Sequence, residues 1–97
     1  MIVIKSIEYA GGACPYQIEA TTKDGKYFYL RYRSGRLRAG ISETEESFFQ
    51  SRFNYNVIDM PFGDEMAGYA YHDDIYPLLE SVIKFPDGFK IDSYPKK

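Results

Sequence analysis

The chain has 97 residues and a mass of 11.2 kDa, enough for one domain, since autonomous domains run to roughly 100–150 residues. Apolar residues make up 44% and charged ones 27%, with a formal net charge of −2, which is ordinary globular usage and excludes a disordered or fibrous chain. No stretch approaches the roughly 18 uncharged apolar residues of a membrane span, and Met1-Ile2-Val3-Ile4 meets Lys5 too soon to be the core of a secretory signal. Cys14 is the single cysteine, so no internal disulfide forms and a cytoplasmic setting is expected. Aromatics stand out at 18%, as ten Tyr and seven Phe without Trp.

Charge is unevenly placed. Residues 1–40 carry seven Lys/Arg against three Asp/Glu, whereas residues 41–97 carry five against eleven. A basic front and an acidic back imply either internal complementarity or two faces with different partners. No repeat, linker or low-complexity run divides the chain, so residues 1–97 are read as a single α+β domain.

Residues 2–9, rich in Ile and Val, predict a first strand closed by Ala10-Gly11-Gly12. Residues 16–22 predict a second, residues 26–33 a third built on Tyr27-Phe28-Tyr29-Leu30, and residues 36–41 a fourth. The turns between them set the pairing. With Ser34-Gly35 as a two-residue loop, Arg33 faces Arg36, Tyr32 faces Leu37, Arg31 faces Arg38, Leu30 faces Ala39 and Phe28 faces Ile41. A slip of one residue would place arginines on the apolar face. A two-residue Asp24-Gly25 loop fails the same test, because it brings Glu19 and Gln17 inward. A three-residue loop, Lys23-Asp24-Gly25, with Gly25 left-handed, instead sets Ala20 against Phe28, Ile18 against Leu30 and Tyr16 against Tyr32.

Ser42 with Glu45 three residues on reads as a capping box, opening a helix at about 43–53 whose apolar side carries Phe49 and Phe53, with Phe48 beside them. Residues 54–60 suggest a short strand, and Gly63 to Tyr71 a loop that either shapes a contact surface or covers a sheet edge. A second helix is predicted at about 75–84, capped by Asp74, with Pro77 in its first turn and Ile75, Leu78, Leu79, Val82 and Ile83 at helical spacing. Pro86-Asp87-Gly88 ends it, and residues 89–94 could add an edge strand. The fold class expected is α+β: an antiparallel sheet of four or more strands with both helices packed on one face.

The same register turns Tyr27, Tyr29, Arg31, Arg33, Arg36 and Arg38 to the opposite face. Arginines directly opposite one another cost up to roughly 1 kcal/mol per pair unless something negative intervenes, and such local conflicts tend to mark functional surfaces. Three readings follow. Glu19 and the acidic helix could neutralise the patch internally. An acidic protein surface could dock there, since Arg and Tyr are favoured at binding hot spots. Nucleic acid is the alternative, with arginine on phosphates and tyrosine stacking bases, although a pI near 5.3 is far below the value above about 9 common in dedicated binders. A homo-oligomer pairing basic face with acidic helix is a further possibility.

Catalytic signals are thin. His72 and Cys14 are the only histidine and thiol, and their spacing does not suggest a nucleophilic pair. Asp64, Glu65, Asp73 and Asp74 lack the spacing and central glycine of a calcium loop. No phosphate loop or zinc motif is present, so the expectation is a non-enzyme without metal or cofactor.

Pro15-Tyr16-Gln17-Ile18-Glu19, Gly25 to Arg33, Gly35-Arg36-Leu37-Arg38, and the Gly63 to Gly68 loop before an acidic helix start together resemble small uncharacterised proteins carried by bacteriophages and other mobile elements. The resemblance spans about residues 14–83 and carries over no site residues. It implies an accessory protein acting in a host cell that inhibits or modulates a host protein, such as a defence nuclease complex, as anti-CRISPR proteins of similar size do.

Overall fold

Alternating apolar and polar side chains between residues 16 and 41 build the centre of the sheet. β2 (Tyr16–Thr22), β3 (Tyr27–Arg33) and β4 (Arg36–Ser42) form an antiparallel meander in a computed structural model that describes residues 1–12, 16–33, 35–52, 54–62 and 72–91. Its register matches the expectation pair for pair: Ala20 against Phe28, Ile18 against Leu30, Tyr16 against Tyr32, and Arg31 against Arg38. Gly25 takes a φ of 85°, the left-handed conformation the three-residue loop requires. Thr22 closes that loop, since its hydroxyl accepts from the Lys26 N–H at 2.9 Å and donates to Asp24.

β1 (Ile2–Gly12) is longer than expected, because Ala10, Gly11 and Gly12 continue the strand opposite Ile18, Gln17 and Tyr16. Gly11 suits this place: the Tyr9 ring lies over it, so close that a Cβ would meet the hydroxyl. The register shifts between Ile4 and Ser6 and again between Ile7 and Tyr9. Each shift inserts one unpaired residue, Lys5 and Glu8, as a β-bulge. The residues that reach the core side are therefore Ile2, Ile4, Ile7 and Ala10, a spacing of two, then three, then three.

α1 (Glu45–Gln50) is shorter than the expected 43–53, and its cap is Thr44 rather than Ser42. The Thr44 hydroxyl accepts from the Ser47 N–H at 3.0 Å, and the Ser47 hydroxyl accepts from the Thr44 N–H at 3.1 Å. Arg52, at φ 61°, turns the chain out of the helix, and Phe53 lies outside the described residues. β5 (Ile58–Pro61) then pairs antiparallel with β4. Asn56 extends this pairing by side chain: its Oδ1 accepts from Ile41 N at 2.9 Å and its Nδ2 donates to Ile41 O at 3.1 Å.

α2 (His72–Glu80) starts and ends earlier than the predicted 75–84, so Asp74 is helical and Pro77 lies inside the helix rather than in its first turn. Tight bonds from Ser81 N to Leu78 O and Val82 N to Leu79 O end it, and β6 (Ile83–Lys84) pairs parallel with β1. No strand forms over residues 89–91: Gly88 turns at φ 78°, Phe89 N bonds Pro86 O, and Phe89 stacks on Phe85 at 4.8 Å. Residues 92–94 lie outside the described ones. The whole is α+β, a mostly antiparallel six-stranded sheet in the order β5-β4-β3-β2-β1-β6 with two short helices.

The helices do not share a face. Ile75 and Leu79 of α2 enter the core with Ile18, Phe28, Leu30, Tyr32 and Leu37. Phe48 of α1 packs on the other side, against Tyr27 and Tyr29. The cause is Gly40, which faces outward and leaves a gap in that surface. The chain between β4 and β5 fills it, bringing the Asn54 carbonyl and the Phe48 ring to where a side chain would stand.

Candidate functional site

Strands β3 and β4 place four arginines in two facing pairs, Arg31 with Arg38 and Arg33 with Arg36. β5 adds Asp59 opposite Arg38. Its Oδ1 accepts from Arg36 Nε at 2.6 Å and Arg38 Nε at 3.3 Å. The Arg36 hydrogen bond, aided by both positive charges, holds the Asp59 carboxyl below its ordinary range. The Arg38 guanidinium also lies 5.5 Å from the centre of the Tyr55 ring, a cation–π contact. Arg31, Arg33, Arg36, Arg38 and Tyr55 together line a cleft of about 150 Å³.

Internal neutralisation is therefore partial and comes from an unexpected residue. Glu19 is engaged elsewhere, accepting from Tyr27 Oη at 3.1 Å and Gln17 Nε2 at 3.0 Å. Glu43 of the loop before α1 pairs with Lys26 at 3.6 Å. Asp59 serves Arg36 and Arg38 only. Arg31 and Arg33 form no salt bridge among the described residues, and Arg31 Nε is shielded from solvent with no hydrogen-bond partner. Leaving such a donor unsatisfied costs about 1–3 kcal/mol, more where it is charged.

Of the two tyrosines of the expected surface, Tyr29 is covered and Tyr27 half-covered. Tyr29 is 5% exposed and packs its ring 5.3 Å from Phe48 and 5.8 Å from Phe49. Tyr27 lies 5.7 Å from Phe48. Burial pushes both phenols upward. Glu19 adds to the rise at Tyr27, and the Arg31 charge opposes it at Tyr29. Phe48 is fully buried, whereas Phe49, expected on the apolar side, is 39% exposed. The six-residue surface thus divides into four arginines that converge and two tyrosines that support α1. Comparison with protein-family models, curated proteins and solved structures finds no match.

Sequence reasoning missed Asp59 and Tyr55. Asp59 was legible only as a polar residue in a strand of unknown neighbour, and Tyr55 carried no pattern at all. At the other end of the same face, a wider cleft of about 530 Å³ is lined by Glu8, Glu19, Glu43 and Glu45, with Lys26 and Tyr27 among them. Glu8 Oε1 accepts from the Thr21 and Ser6 hydroxyls. The outer face is thus basic at one end and acidic at the other, with the α1 aromatics between. Among the described residues no group of three or more His, Cys, Asp or Glu is placed to hold a metal ion, and no helix is long and apolar enough to cross a membrane. Cys14, Asp64, Glu65 and the loop 63–71 lie outside the described residues, as do the side chains of His72, Asp73 and Asp74.

Proposed function

We propose that the protein is a small non-enzymatic binding protein that docks an acidic surface of a protein partner on its arginine cleft. The observation that carries this reading is the convergence of four guanidinium groups beside a single carboxylate, Asp59. Four like charges held together on rigid strands are costly to the free protein, and an acidic partner removes that cost. The nucleic-acid alternative loses support, because stacking needs exposed rings, and Tyr29 is buried against Phe48 and Phe49 while Tyr27 is half-covered by the same pair. On the resemblance to phage-borne proteins, the partner is a host protein and the outcome inhibition or modulation.

The test is affinity capture from bacterial lysate, with and without nuclease, using the wild type and the double variant Arg31→Glu/Arg33→Glu. Unfolding curves check that the variant keeps its fold. A discrete protein that survives nuclease and is lost in the variant supports the reading. Nucleic acid alone on the wild-type beads, or a protein captured equally by both forms, refutes it.

A further inference from the structure

We infer that the arginine cleft is a subsite for a single phosphoryl group, presented by a phosphorylated side chain of the protein partner. The inference rests on the docking role proposed above and specifies its chemistry. The cleft is small, at about 150 Å³. It has room for a compact oxyanion between the four guanidinium groups. Its walls are donors. Each guanidinium presents a fork of N–H groups that matches carboxylate or phosphate oxygens.

Charge and oxygen count choose between these two. Four arginines and one aspartate leave three uncompensated positive charges. A carboxylate brings one negative charge and two oxygens. A phosphoryl group brings close to two charges and three strong acceptor oxygens. Asp59, which does not line the cleft, already supplies a carboxylate to Arg36 and Arg38 at 2.6 and 3.3 Å. What remains without a carboxylate is Arg31, whose guanidinium meets the Tyr29 hydroxyl but whose shielded Nε has no acceptor, and exposed Arg33, two residues on in the same strand. An additional multidentate anion meets that need.

The rest of the face argues for an isolated group rather than a polyphosphate strand. A nucleic-acid backbone continuing along β3 from the arginines would run onto Glu19, Glu43 and Glu45 at the acidic end. The site is also preorganised: all four arginines sit on paired strands, and Arg38 is braced by Tyr55.

Phenyl phosphate, benzoate and a single-stranded oligonucleotide, each titrated into the intact protein, provide the test, with Arg Nε–H resonances and calorimetry as readouts. Phenyl phosphate should shift the Arg31 and Arg38 resonances and bind at least roughly tenfold more tightly than benzoate, about the difference one further charge-assisted hydrogen bond makes. Arg31→Gln should weaken it by roughly tenfold or more, and Arg31→Lys should not restore it, because an ammonium lacks the fork. Arg33→Gln, at an exposed strand end, gives the same readout if Arg31→Gln fails to fold. Equal binding of benzoate, or resonances unmoved by phenyl phosphate, overturns the phosphoryl assignment. Tighter oligonucleotide binding overturns it in favour of a strand. A partner captured through the arginines without any phenyl phosphate binding sinks this inference alone and leaves the docking role standing.

Discussion

Gly40→Ala tests how α1 is seated. A Cβ at this position would stand 2.3 Å from the Asn54 carbonyl oxygen and 2.7 Å from Phe48 Cε2, against an ordinary contact of about 3.5–4.0 Å. About 1 Å must be found, and the backbone has little to give. The Asn54 oxygen accepts from Asn56 N at 3.0 Å, Asn56 is clamped to Ile41 through its side chain, and Val57 N is bonded to Ala39 O at 3.0 Å. Relief requires turning the Asn54 carbonyl, bowing β4 or expelling Phe48. Overpacking of this kind costs about 1–3 kcal/mol. Lower entropy of the unfolded alanine chain offsets about 0.4–1 kcal/mol of that at most. The net expectation is a loss of about 1–2 kcal/mol, or a Tm lower by roughly 5–15 °C in a domain of this size. Gly25→Ala serves as the contrast: it meets no atom within 4 Å and is disfavoured by its φ of 85° alone. Urea unfolding of both variants decides the matter. An unchanged or raised midpoint for Gly40→Ala would refute the seating of α1 on the outer face.

Phe48→Ala should be more severe, at about 3–5 kcal/mol for a fully buried aromatic ring, and should move the phenols of Tyr27 and Tyr29 back toward ordinary titration; ultraviolet absorbance during alkaline titration reads both. In the wild type, burial raises the folded-state pKa of Tyr27, Tyr29, Tyr55 and Tyr76 above the ordinary 10.0. The unfolded chain therefore loses these protons first, so stability should hold below pH 10 and fall as the pH rises beyond it; a flat stability profile across that range would contradict the burial. Asp59→Asn removes the carboxylate beside Arg36 and Arg38 without altering the cleft lining, so phenyl phosphate should bind more tightly to it than to the wild type in calorimetry. Weaker binding would mean that Asp59 orders the arginines rather than competing for them.

The meander was legible because its two signals agree. Only one pairing keeps Phe28, Leu30 and Tyr32 together and the arginines apart from them, and the turn glycines permit that pairing. β1 was harder, since its bulges at Lys5 and Glu8 break strict alternation, and the spacing of Ile4, Ile7 and Ala10 resembles a helix as much as a strand. The arginine pairs were read correctly from the register. The cover over Tyr27 and Tyr29 was not, because the face on which a short helix lands depends on a gap rather than on its own pattern. Gly40, between Ala39 and Ile41 in a strand, was the available clue: a strand glycine often marks another backbone passing close. Asp59 became visible as a counter-ion only once β5 was known to lie beside β4.

The parallel join of β6 to β1 sets a timetable for folding. Each hairpin of the meander closes across a few residues, so β2, β3 and β4 can pair as soon as they exist. The Ile2–Ile83 pair spans nearly the whole chain, a loop whose closure is entropically dearer and slower to find. During synthesis, the outer edge of β1 stays uncovered until residues 83–84 have emerged, and an unpaired strand edge is an invitation to other chains. The two-residue strand β6, slight as it is, covers the Ile2–Val3 end of that edge last.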